Sequence, residues 1–128
     1  MSTPIPLKEI GLQYLEYLES NNREALLKLF SADAIVHSPI YGSKPAEEFY
    51  ETLGQDTSNS KLTFINSFEN SATHSFALYF NYEWTLKNGK VVPFDVVDII
   101  QCNAEGKIND LKIIYDTHLT RKEVEALR

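Results

Sequence analysis

Cysteine occurs once in the 128 residues, as Cys102, so no internal disulfide forms and the chain fits a reducing compartment. A lone strand cysteine reads as a small buried hydrophobe rather than a nucleophile. Positive charge is scarce: 12 Lys and Arg stand against 18 Asp and Glu, a net charge of −6 with histidine neutral. That balance argues against nucleic acid as a partner, because phosphate binding needs clustered cations. An anionic membrane surface is disfavoured for the same reason. Long apolar runs are missing too. Phe76 to Phe80 is among the longest, far short of the roughly 20 residues of a membrane span. The opening Met1 to Pro6 has no basic segment leading into an apolar one, so no signal peptide is read and a cytoplasmic location is expected. There is no Gly-rich phosphate loop, no nucleophile elbow and no paired-histidine helix. The three histidines, His37, His74 and His118, lack metal-ligand spacing. Neither a metal nor a cofactor is expected.

What the chain does have is aromatic side chains: seven Phe, seven Tyr and one Trp. With 43% hydrophobic and 23% charged residues the composition is that of a folded globular protein. One domain over residues 1–128 is expected at this length.

The order along the chain is helices first, strands after. Residues 6–20 place Leu7, Ile10, Tyr14, Tyr17 and Leu18 three and four apart, one apolar stripe of a helix. Ser2 or Thr3 suits its cap, and Pro4 or Pro6 its first turn. Asn21 with Glu24 reads as a capping pair for a second helix carrying Leu26, Leu27, Leu29 and Phe30. Ala34 to His37 reads as a short strand, and Pro45 to Leu53 as a third helix. Gly54 to Ser60 is polar and reads as a loop. The period then changes to two. Leu62, Phe64 and Phe68 alternate with polar neighbours, and Phe76, Leu78, Phe80, Tyr82, Trp84 and Leu86 share one face. Asn88-Gly89 is a hairpin signal. Strands follow at 91–102 and 107–117, then a short helix or tail from Thr120. Three helices followed by a four-stranded antiparallel meander make an α+β domain. A strongly curved sheet closed on its open side by a helix forms a cone with a cavity.

Asp98 breaks this pattern most sharply. On the 91–102 strand it shares a face with Phe94, Val96 and Ile100. If that face points inward, a carboxyl is held among apolar groups, its pKa rises, and it becomes a hydrogen-bond donor. A strand flipped by one residue would instead bury Asp95 and expose Asp98. Tyr14 is the second candidate, either as plain core or with its hydroxyl aimed into the cavity. His37, at the end of the first strand, is either a surface residue or a catalytic one.

The run Asn21 to Pro39 (NNREALLKLFSADAIVHSP), Gly42, Glu47 to Tyr50, Phe94 to Asp98 and Glu105 to Ile108 together resemble the nuclear transport factor two-like superfamily, in its SnoaL-like and ketosteroid isomerase-like branch. The resemblance spans about residues 7–118. It implies a cone-shaped α+β barrel, a cystatin-like roll, with three N-terminal helices on a curved, mostly antiparallel sheet. Homodimers packed through the outer sheet face are common in that family. In the isomerases a helix-one tyrosine and a protonated strand aspartate form an oxyanion hole, and a loop aspartate moves the proton. Tyr14 falls on the tyrosine, Asp98 on the protonated aspartate, and Tyr50 on a tyrosine supporting the first. Phe30 stands at another supporting tyrosine position. The loop aspartate is replaced by Ser38, which is no base unaided. The resemblance thus implies an electrophilic half without its base.

Three functions follow. The first is a SnoaL-like domain that binds a small hydrophobic, carbonyl-bearing molecule in a cavity lined by Tyr14, Leu18, Phe49, Phe80, Tyr82, Trp84, Phe94, Val96, Asp98 and Tyr115. The second is an isomerase, dehydratase or polyketide cyclase-type enzyme, with Tyr14 and Asp98 as oxyanion hole and His37, Asp116 or the substrate itself as relocated base. The third is a non-catalytic interaction module whose cone is packed shut.

Overall fold

The computed structural model describes residues 6–128. Ser2, Thr3 and Pro4, expected to start the first helix, lie outside the described residues. Helix α1 (Leu7–Glu19) begins after Pro6, its N-cap, which makes no side-chain capping bond. It buries Ile10, Gly11, Tyr14 and Leu15. Gly11 brings α1 close to the sheet: a Cβ there would lie 3.1 Å from both Leu78 Cδ1 and Phe76 Cε2. Asn21 takes a positive φ of 56°, as asparagine tolerates, and turns the chain out of α1. The cap of helix α2 (Arg23–Leu27) is therefore Asn22, not Asn21 as expected; Ala25 N donates to its Oδ1 at 3.2 Å. α2 is one residue short of Lys28. Leu29 and Phe30 are not helical, because Ile108 N donates to Leu29 O and Phe30 already pairs with Ile108.

Strand β1 (Phe30–Ser38) is longer than its sequence signal, and a short β2 (Gly42–Pro45), not anticipated, hairpins onto it. Helix α3 (Ala46–Asp56) runs directly into β3 (Thr57–Asn70). The loop expected over 54–60 does not exist. Gly54 is helical, and Thr57 to Ser60 pair with β4 (Ser75–Leu86). The junction is fixed by Lys87 N donating to Asp56 O at 2.9 Å and Trp84 Nε1 donating to Thr57 Oγ1 at 2.8 Å. β5 (Val91–Cys102) and β6 (Ile108–Ile114) complete a sheet of order β2-β1-β6-β5-β4-β3. The sheet has six strands rather than four, because β1 joins β6 in parallel; every other pairing is antiparallel. β2 and β3 are its free edges, so it is curved but unclosed.

The concave face carries the core. Phe76, Leu78, Phe80, Tyr82, Trp84 and Leu86 of β4 are all buried, as are Val92, Val96, Ile100 and Cys102 of β5. Each such large side chain contributes about 1.5–3 kcal/mol by leaving water. β3 departs from expectation at Phe68, which is 59% exposed. The register shifts between Phe64 and Asn66. An extra residue there reverses the parity of the strand, so Leu62 and Phe64 face in and Phe68 faces out. Helix α4 (His118–Glu125) starts earlier than Thr120, since His118 N donates to Asp116 Oδ1 at 3.0 Å. It is tied down by Arg121 donating to Pro39 O and by the Arg128 guanidinium, which donates to both Asp56 oxygens at 3.0 and 2.9 Å. No described helix is long and apolar enough to cross a membrane.

Candidate functional site

The register places Asp98 between Leu78 on β4 and Ile113 on β6, facing the concave side. It is 1% exposed, and among the described residues nothing hydrogen-bonds its Oδ1. Burial alone pushes its carboxyl well above the usual range, which favours the protonated, hydrogen-bond-donating form. An unpartnered buried polar group costs about 1–3 kcal/mol, so this one is held at an energetic disadvantage.

Tyr14 on α1 and Tyr50 on α3 meet in front of it, their hydroxyl oxygens 2.7 Å apart. Both are fully buried, and burial holds both hydroxyls neutral, with Tyr50 and Asp98 adding to the upward push on Tyr14. Phe49 packs edge-on against Tyr50, and Phe30 fills the space beside both tyrosines. A shared hydrogen bond between two hydroxyls uses one of their two protons, and the other remains free to donate.

Tyr14 and Asp98 border one cavity of about 40 Å³. Its wall contains Leu18, Phe49, Phe80, Tyr82, Trp84, Phe94, Val96 and Tyr115 as well, and three residues that the sequence reading did not single out, Tyr41, Leu53 and Ile113. Phe94 is stacked between Tyr115 and Tyr82, with ring centroids 4.5 and 5.3 Å away. The volume is room for about three or four waters, at roughly 10–15 Å³ each.

Four other candidate residues lie elsewhere. Tyr50 does not border the chamber; it shares a hydrogen bond with Tyr14 and lines the neighbouring pocket. His37 points to the opposite face of the sheet, because Ala34 and Val36 take the inward positions of β1. Its Nε2 lies 2.7 Å from Asp110 Oδ1 and its Nδ1 2.7 Å from Ser43 Oγ. Ser38 Oγ accepts from Ile40 N and Tyr41 N and shapes the turn after β1. Asp116 is exposed and accepts from His118 N at the start of α4. None of His37, Ser38 and Asp116 borders the chamber.

A second, outer pocket of about 210 Å³ opens between the ends of α1 and α3 and the start of β3. It shares Leu18, Leu53 and Tyr82 with the aromatic chamber. Its other walls mix polar side chains, among them Glu19, Asn21, Arg23, Ser58, Asn59 and Ser60, with Tyr17, Leu26 and Tyr50. Ser60 Oγ and Tyr82 Oη lie 2.8 Å apart on the partition. Glu19 Oε2 accepts from Leu62 N at 2.6 Å.

Helices packed on a strongly curved, mostly antiparallel sheet make the NTF2-like, ketosteroid isomerase-like fold, and solved structures agree. TerC, co-crystallised with polyporic acid, is 18% identical, with a TM-score of 0.80 and 94% of this chain matched to 99% of that one. A hypothetical protein with a ketosteroid isomerase-like fold from Catenulispora acidiphila, in complex with trimethylamine, is 16% identical (TM-score 0.73, 84% and 85% covered). The epoxide hydrolase/cyclase-like enzyme SalBIII, of pyran ring formation in polyether salinomycin, is 19% identical (TM-score 0.72, 90% and 92% covered). Further neighbours are NTF2-like proteins of unknown function. No family model and no curated protein matches the sequence. At these identities the likeness establishes the fold.

Proposed function

We propose that this chain binds a small hydrophobic molecule through a carbonyl or hydroxyl oxygen, held in the aromatic chamber by Tyr14 and protonated Asp98. The observation that carries this reading is the buried Asp98 carboxyl without a partner at Oδ1, on the wall of a chamber otherwise built of aromatic and aliphatic side chains. A neutral donor in an apolar box recognises a neutral acceptor without desolvating an ion. Neighbours of the same fold crystallised with polyporic acid and with trimethylamine support small-molecule binding. The test is calorimetric titration with a para-alkylphenol, whose hydroxyl mimics an enol. Tyr14→Phe and Asp98→Leu should each weaken binding about tenfold, the worth of one hydrogen bond. Asp98→Asn, which keeps a donor, should retain most of the affinity. Wild-type protein that fails to bind, or variants that bind as well as wild type, would refute the reading.

A catalytic reading, as isomerase, dehydratase or cyclase, is favoured by SalBIII. It lacks a base: His37 and Asp116 lie outside the chamber, and the Ser38 hydroxyl oxygen is engaged in a turn. Proton exchange on enolisable ketones, catalysed by wild type and lost in Asp98→Leu, would establish it over simple binding. A second copy of the chain is the partner we assign to the outer sheet face, where Ile99 and Ile114 are 41% and 48% exposed. Sedimentation should show a dimer that Ile99→Lys converts to monomer. The single, buried Cys102 supports the cytoplasmic part of the same reading.

A further inference from the structure

We infer that the outer pocket is the polar half of one composite site, and that Arg23 there takes the carboxylate of an amphiphilic ligand whose apolar, oxygen-bearing end enters the aromatic chamber. The inference rests on the binding reading above and goes beyond it by naming the ligand class.

Volume is the first argument. A chamber of about 40 Å³ accepts the tip of a molecule, since sites for whole small molecules measure roughly 300 Å³ or more. The remainder of a ligand needs adjoining space, and the pocket of about 210 Å³ behind Leu18, Leu53 and Tyr82 supplies it. These three side chains face both spaces, so the two spaces adjoin there.

Chemistry is the second argument. Arg23 borders the outer pocket, and among the described residues its guanidinium has neither a hydrogen-bond acceptor nor a carboxylate within ion-pair distance. The nearby Glu19 instead receives Leu62 N. A guanidinium offers five N–H donors in a planar fork that fits a carboxylate two-pronged. Asn59 and Ser58 stand on the facing wall.

The third argument is Gly54. Inside a helix, glycine costs roughly 0.5–1 kcal/mol relative to alanine. At this position a Cβ would lie 2.5 Å from Arg23 Nη2. The bare Cα of α3 leaves the guanidinium where it lies at the pocket wall; a Cβ would displace the tip of that side chain.

Para-hydroxyphenyl alkanoates of increasing chain length, and their methyl esters, test the inference by calorimetry at neutral pH. At the best length the acid should bind about tenfold or more tightly than its ester, as a charge-assisted pair implies. Arg23→Gln should erase that ratio while leaving ester affinity unchanged, and Gly54→Ala should reduce it. Lys28→Gln, the same charge change on the exposed surface, should preserve it. Acid and ester binding equally to wild type, or a ratio that survives Arg23→Gln, overturns the carboxylate assignment and leaves the chamber reading intact. Failure of both acid and ester to bind overturns the two together.

Discussion

The unpartnered carboxyl of Asp98 should make the protein lose stability as pH rises above the ordinary carboxyl range. Its folded-state pKa lies above the ordinary value of 3.8 because burial penalises the anion. Once the pH exceeds the unfolded value, the unfolded chain releases this proton while the folded chain still holds it. Unfolding then becomes easier by about 1.4 kcal/mol for each pH unit, until the folded-state pKa is reached. Each pH unit between the two values is a sizeable share of the 5–15 kcal/mol typical of a domain.

Asp98→Asn isolates the effect. The amide has nearly the same shape, remains a donor, and carries no titrating proton. Urea unfolding of both proteins at several pH values yields a difference in stability in which all other titrating groups cancel. Asp98→Asn should gain on wild type by about 1.4 kcal/mol per pH unit between the unfolded-state and folded-state pKa values. Parallel pH profiles would refute the argument, because they would mean that Asp98 titrates in the folded protein as it does in the unfolded one.

Asp56 gives the opposite sign. Hydrogen bonds from Arg128 hold its carboxyl below the usual range against the upward push of burial, so its stabilisation is present above the unfolded pKa and disappears as acid protonates it in the folded state. Asp56→Asn should cost about 1–2 kcal/mol at neutral pH, the low end for charged hydrogen bonds because the Arg128 side chain is 53% exposed. The deficit should vanish in acid, as urea unfolding would show. Gly11→Val should destabilise by about 1–3 kcal/mol through overpacking against Leu78 and Phe76, and in thermal melts that loss should be smaller when the change is made on a Leu78→Ala background.

Which features were legible in the sequence follows from how each is encoded. β4 and β5 each bury one face along their whole length, so their period of two is continuous and the bounds of β5 were readable as 91–102. Asp98 stood out because it interrupts that period with the wrong chemistry. A bulge leaves no such mark: the extra residue between Phe64 and Asn66 kept Phe68 in apparent phase while turning it to solvent. Thr57 to Ser60 read as a loop because an edge strand with a polar outer face resembles one in composition. For His37, read as either a surface or a catalytic residue, the outward side was legible, since Ala34 and Val36 already claimed the inward parity of its strand. The outer pocket had no local signature. Arg23, Gly54 and Asn59 come from three separate segments, and only the tertiary fold brings them together.

The two spaces divide charge between them in a way that ties stability to recognition. The chamber wall holds hydroxyls and a carboxyl that burial keeps neutral. The outer pocket holds the charged side chains Glu19 and Arg23. An amphiphile would leave its charge where water still screens it and bury only a neutral oxygen. An ionised Asp98 would face that oxygen with a lone pair instead of a proton and would repel it. A ligand oxygen accepting from Asp98 therefore stabilises the protonated form further, and by linkage binding must weaken as pH rises past the folded-state pKa. The proton that makes the fold pH-sensitive is thus the same one that makes the chamber a donor.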